Sequence, residues 1–309
     1  MAKEVVMAER VVVGVDGSDA SLGALRWALD EAAIRGATVE AVTAWQGVAA
    51  RGADVPDPAL DDGIAEAARR VLADALQATS VPPGLTVDPV VSEGGPDHVL
   101  CDRSIGASLL VVGSRGRGGF ERLLLGSVSS ACARHAASPL LITRPGHAGD
   151  APPRSGRILV GIDGSDGSRR ALAWAKDDAR RRGWSVTALS VWSDPYEGDL
   201  TFELQAPRFQ VDHEVALRAV RERLEAVIDE TASVAPSVEV EAVVVGGDPR
   251  RELCHHAEDA DLLVVGRRGT HSLAALLLGS IATTCAHHAP VPIVIVPDTT
   301  DLPQSATDR

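Results

Sequence analysis

Gly113-Ser114-Arg115-Gly116, nine residues, then Gly126-Ser127 is a stretch the chain writes twice. The second copy is Gly266-Arg267-Arg268-Gly269, nine residues, then Gly279-Ser280. Each copy follows an apolar run, Leu109 to Val112 and Leu262 to Val265, and precedes a helical pattern. A strand, a glycine loop and a helix start suit a phosphate, because bare amides approach the anion and the helix dipole favours it. Both copies keep one offset of 153 residues, from 113 to 266 and from 126 to 279. The pattern points to two nucleotide sites.

The repeat extends well beyond the loop. Val11-Val12-Val13-Gly14-Val15-Asp16-Gly17-Ser18-Asp19 matches Ile158-Leu159-Val160-Gly161-Ile162-Asp163-Gly164-Ser165-Asp166 at an offset of 147, and Arg26-Trp27-Ala28 answers Ala173-Trp174-Ala175. Gly94-Gly95-Pro96 answers Gly247-Asp248-Pro249 at 153, so the second copy carries about six extra residues between Trp192 and Pro249. Residues 10–145 and 157–297 are expected to form two domains. The Pro-, Gly- and Ala-rich stretch 146–156 reads as their linker, and 298–309 as a flexible tail.

Within the first copy, strands are expected near 10–15, 38–44, 86–91, 108–113 and 139–143, with helices near 19–35, 60–79, 96–106 and 127–137. The strand runs are apolar on both faces, as buried parallel strands should be. The fold class is α/β: two tandem doubly wound domains, each a five-stranded parallel sheet with helices on both faces. Asp16 ends the first strand and Gly113 the fourth. If those strands are neighbours where the winding reverses, both face one crevice. Val42, Leu189, Trp27 and Trp174 read as core.

Bulk properties narrow the function. The chain has 309 residues, 45% hydrophobic and 24% charged, and a net charge of −13. That charge argues against nucleic acid or an anionic membrane as partner. No apolar run approaches the ~18 residues of a membrane span, and Met1 to Arg10 carries charges and no signal-peptide core. Cytoplasm is the default reading. Cys101 and Cys132 recur as Cys254 and Cys285, as small buried side chains or as a thiol switch. The adjacent pairs His255-His256 and His287-His288 point to different helix faces and chelate one ion poorly, so no protein-ligated metal is expected.

Two familiar nucleotide loops are excluded. A Walker A loop needs Gly-Lys, and neither Lys3 nor Lys176 follows a glycine. The dinucleotide fingerprint started from Gly116 and Gly118 requires a third glycine where Glu121 stands, and it follows the first strand rather than the fourth.

What remains resembles the ATP-binding branch of the universal stress protein family in its tandem, two-domain form. That family's signature is Gly, two residues, Gly, nine residues, Gly, then Ser or Thr, met here at 113/116/126/127 and at 266/269/279/280, with an aspartate ending strand one at Asp16 and Asp163. The resemblance implies the adenine nucleotide alpha hydrolase-like fold and ATP as ligand. It places Asp16 and Asp163, beside Gly14 and Gly161, at the adenine and ribose end. Backbone groups at Ala44 and Val191 would meet the adenine edge. Gly113, Gly116, Gly266 and Gly269 would wrap ribose and phosphates, and Gly126, Ser127 and Val128, with Gly279, Ser280 and Ile281, would present amides and a hydroxyl to the phosphates.

The residues themselves leave several readings open. Arg115, Arg117, Arg267 and Arg268 suit either a phosphate clamp or a solvated loop. Asp-Gly-Ser at both strand ends also suits a turn. A Mg²⁺ bridging the phosphates fits, with few protein ligands. No catalytic base is identifiable, which favours a stress-response regulator that holds ATP, with a slow ATPase or autophosphorylating protein and a nucleotide-free interaction module as alternatives. The resemblance also implies an intramolecular pseudo-dimer through the last strand of each domain, Leu140 to Thr143 and Ile293 to Val296, and a homodimer beyond it.

Overall fold

The computed structural model describes residues 9–47, 57–117, 125–144, 154–193, 213–270 and 278–298. Most of the expected linker, up to 153, and the expected tail beyond 298 lie outside the described residues. The chain divides into two compact units, broken between residues 152 and 153.

In the first unit the order is β1 (Arg10–Gly14), α1 (Asp19–Arg35), β2 (Thr38–Trp45), α2 (Pro58–Gln77), β3 (Val87–Glu93), α3 (Pro96–Arg103), β4 (Leu109–Gly113), α4 (Ser127–His135) and β5 (Leu140–Thr143). In the second it is β6 (Arg157–Gly161), α5 (Asp166–Arg182), β7 (Ser185–Trp192), α6 (His213–Glu230), β8 (Val240–Gly246), α7 (Pro249–His256), β9 (Leu262–Gly266), α8 (Ser280–His288) and β10 (Ile293–Val296), with a short 3-10 turn, Ala257–Asp259, after α7. Strands run β3-β2-β1-β4-β5 in the first unit and β8-β7-β6-β9-β10 in the second. All pairings within each unit are parallel. Each sheet grows outward in one direction from its first strand, then returns to continue on the other side. β1 and β4 are therefore neighbours, Val11 opposite Leu109, as are β6 and β9, Ile158 opposite Leu262. The condition for a common crevice is met twice.

Local sequence explains where the elements start and stop. Ser18 and Ser165 cap α1 and α5, each accepting from an amide three residues on at 3.2 Å. Gly36 and Gly183 end these helices in the left-handed conformation. The apolar strands form the centre of each sheet: Val11, Val12, Val13, Leu109, Leu110 and Val111 are fully buried, and the second unit buries Leu262, Leu263 and Val264 in the same way. Val42, Leu189, Trp27 and Trp174 belong to the core as expected. Cys132 and Cys285 are buried and all four cysteines are free thiols. A hydrogen bond with Cys101, then burial, push the Cys132 thiol up, leaving a poor nucleophile.

The extra residues of the second copy fall in two places. The offset is 147 in β2 and β7 and reaches 152 in α2 and α6, where Leu72 and Leu224 are both buried and Thr79 and Thr231 each donate to the carbonyl four residues back. It becomes 153 from β3 and β8 onward, after a turn in which Ala235 takes a positive φ of 42°. The segment entering β6 is held by Asp261, whose carboxylate accepts from the amides of Arg154, Ser155 and Gly156 at 2.6–2.9 Å.

Candidate functional site

Both sites are built around an aspartate that fastens the glycine loop to the end of the first strand. Asp16 Oδ1 accepts from the Ser18 amide at 3.0 Å and its hydroxyl at 2.6 Å, while Oδ2 accepts from the Arg117 amide at 2.9 Å. Asp163 repeats this, with Ser165 at 3.0 and 2.6 Å and the Thr270 amide at 3.0 Å. A Cβ on Gly116 or Gly269 would collide with the same carboxylate. Turn and clasp are thus one arrangement, and the half-buried aspartate crosses the crevice to join its two loops.

Burial alone would raise these two carboxyls. Hydrogen bonds from the Ser18 side chain and amide and from the Arg117 amide outweigh it and hold Asp16 below its ordinary range, and Ser165 and Thr270 do so for Asp163. A depressed native pKa means that the stabilisation is complete above the unfolded carboxylate range, near ~4, and is lost as pH falls through the native value. Asp16→Asn with Asp163→Asn should cost about 1–2 kcal/mol per site at neutral pH, the low end for charged hydrogen bonds because the groups are partly exposed. Urea unfolding at a series of pH values should show that gap closing below pH ~4. A gap independent of pH contradicts the clasp.

The remaining glycines divide by what surrounds them. At Gly113 a Cβ would stand 2.8 Å from the Ala20 carbonyl carbon and oxygen, and at Gly266 it would stand 2.7 Å from the Gly167 carbonyl carbon. These glycines let α1 and α5 lie against the strand ends, which is a packing demand of the fold. A Cβ on Gly14 or Gly161 would meet the side chain of Leu100 at 2.8 Å or Leu253 at 3.1 Å. Gly126 differs: its φ is −76° and a Cβ would find nothing nearer than 3.5 Å. Gly279 is tighter, at 3.2 Å from the Arg267 carbonyl oxygen.

Gly126 and Gly279 precede α4 and α8, and neither helix N-terminus has a side-chain cap. Their own amides are committed, Gly126 donating to the Ser114 carbonyl at 2.8 Å and Gly279 to the Arg267 carbonyl at 3.0 Å. The first-turn amides at Ser127 and Val128, and at Ser280 and Ile281, receive no side-chain cap. The two serines are exposed.

In the second unit these features line one cleft of about 780 Å³. Gly161, Asp163, Val191, Gly266, Arg267, Arg268, Gly269, Gly279, Ser280 and Ile281 all border it. Three features were missed in the sequence: the apolar floor from Leu224 and Leu253, the Trp192-Ser193 rim, and Arg223. Arg268 borders the cleft while its Nε donates to Asp298 in an ion pair at 2.5 Å. In the first unit, Ala44 sits beside Ser92 of β3 and Arg115 is half-buried next to Gly126.

Fold and site together define a tandem doubly wound α/β protein with a clasped glycine loop at each switch point. The family model "Universal stress protein family" matches residues 7–144 and 155–297. The chain belongs to that family, with two of its domains in tandem. A universal stress protein of Mycobacterium tuberculosis is 34% identical, with 92% of this chain and 96% of that protein covered. One from Mycolicibacterium smegmatis is 32% identical over 93% of this chain and 96% of its own length. The crystal structure of a universal stress protein from Archaeoglobus fulgidus matches with a TM-score of 0.66 at 22% identity, covering 93% of this chain and 96% of that one, a likeness of fold. Among the described residues no helix is long and apolar enough to cross a membrane.

Proposed function

We propose that the chain is a cytoplasmic stress-response regulator that binds ATP, one molecule per unit, and turns it over slowly or not at all. The observation that carries this is the convergence in the second unit: an uncapped helix N-terminus, a clasped glycine loop and an apolar floor share one cleft of about 780 Å³, within the usual range for ligand pockets. An apolar floor suits a base, and first-turn amides with a helix dipole suit phosphates. The first unit repeats the clasp and the uncapped helix. Mg²⁺ fits as an ion held through the phosphates and water, supplying charge neutralisation when bound.

Slow turnover follows from what phosphoryl transfer needs: a positioned acceptor or water and charge stabilisation aimed at the transition state. The aspartates nearest the loops are occupied in fastening them, which removes them as bases. With ATP and Mg²⁺, the purified chain should hydrolyse far more slowly than the ~1–100 s⁻¹ of kinases. A rate of about 1 s⁻¹ or more that disappears in Ser127→Ala or Ser280→Ala protein replaces the regulator with an enzyme.

A further inference from the structure

The turn that follows the first strand is covered differently in the two units. In the first, a Cβ on Gly17 would collide with the Arg117 guanidinium and stand 3.0 Å from Val71 Cγ1 on α2. In the second, Gly164 takes the same left-handed φ, +81° against +77°, and the side chain over it is Arg223 of α6, with Cδ 3.5 Å from the corresponding Cβ position. The helices align at 152, fixed by Leu72 with Leu224 and Thr79 with Thr231, so Arg223 answers Val71. The loops align at 153, so Thr270 answers Arg117, and the two backbone amides donate to the equivalent aspartates. A cation and a neutral residue have exchanged positions between loop and helix. Arg169 also reaches the second turn, donating to the Gly164 carbonyl, but it is ion-paired with Glu230. Among the described residues, Arg117 and Arg223 are the arginines beside these turns that have no such pair.

Packing does not account for the exchange. Val71 shows that an apolar side chain suffices on the helix, and Thr270 that a neutral one suffices on the loop. Both arginines are exposed, and among the described residues neither guanidinium has an ion-pair partner. Arg223 lines the cleft together with Asp163 and Gly269. In a chain of net charge −13, an exposed, unpaired arginine lining a cleft is a means of drawing in an anion.

We propose that Arg223 is the second unit's contact to the anionic part of its ligand, the counterpart of Arg117 in the first, and that it favours nucleotides with phosphates over the nucleoside. This rests on the nucleotide reading of the cleft. The test uses the full chain carrying Gly126→Glu, so that the second site alone is titrated, with ATP and with adenosine, by calorimetry. Arg223→Val should weaken ATP roughly tenfold or more and leave adenosine unchanged. Adding Thr270→Arg rebuilds the first unit's pairing and should restore ATP affinity. Unchanged ATP affinity in Arg223→Val, or equal losses for ATP and adenosine, overturns the inference. A selective loss that Thr270→Arg does not restore overturns the counterpart relation. If the Gly126→Glu parent binds no ATP, the nucleotide reading of this unit fails, and the inference with it.

Discussion

A chain carrying Gly126→Glu and Gly279→Glu should fold in both units and hold no ATP. The space argument is clear at position 126, where an added Cβ meets nothing closer than 3.5 Å and the φ of −76° suits any residue. Position 279 requires a shift of a few tenths of an ångström against the Arg267 carbonyl. A carboxylate at either position lies at the start of an uncapped helix, where the dipole attracts it. It then competes for the first-turn amides and repels the phosphates. Loss of charge-assisted hydrogen bonds at about 1.5–3 kcal/mol each, with added repulsion, amounts to at least about a hundredfold in affinity. Circular dichroism and calorimetry on one preparation check both halves. ATP retained by the double variant counts decisively against the site.

Gly113→Ala and Gly266→Ala should do the opposite and strike the fold. The added methyl would stand 2.8 Å from the backbone of Ala20 in one unit and 2.7 Å from that of Gly167 in the other. Backbone atoms in a packed helix cannot step aside as a flexible side chain does. Overpacking of this kind costs about 3 kcal/mol, and the helix displaced carries the serine that donates to the clasping aspartate. Urea unfolding should show the midpoint lowered in each single variant. A midpoint unchanged within error contradicts the close approach. The two pairs of glycines thus separate within one motif: at 113 and 266 a helix backbone closes in, whereas at 126 and 279 a side chain has room or nearly so.

That division was not legible in the sequence. The glycine spacing announced a loop and its place after the fourth strand, but a glycine does not reveal whether a helix or a ligand comes close to it. The fold was more legible, because strand ends, helix starts and the doubled offset are properties of neighbouring residues. The expected helix at 19–35 coincides with α1, and the others end within a few residues of their predicted limits. The expected meeting of Asp16 with the glycine loop depended on strand order, which periodicity does not encode, and the β1–β4 pairing supplies it. Arg268 carries a contact that was likewise hidden. Its partner, Asp298, belongs to a segment read as tail, so nothing near the motif signalled the ion pair. Arg223 was hidden for a different reason: it adjoins the buried Leu224 on a helix whose register shifts by five residues relative to β7. Aligning the two copies helix by helix, rather than at a single offset, was the signal that could have found it.

The most direct test of the central claim is the nucleotide content of the protein itself. The full chain is purified without added nucleotide, denatured, and its released small molecules identified by mass spectrometry, with the stripped protein then titrated with ATP by calorimetry. The account predicts released adenine nucleotide, mainly ATP, and titration to two molecules per chain, one for each glycine loop. Protein that releases no adenine nucleotide and takes up no ATP at millimolar concentration, while its circular dichroism shows the folded α/β chain, contradicts it.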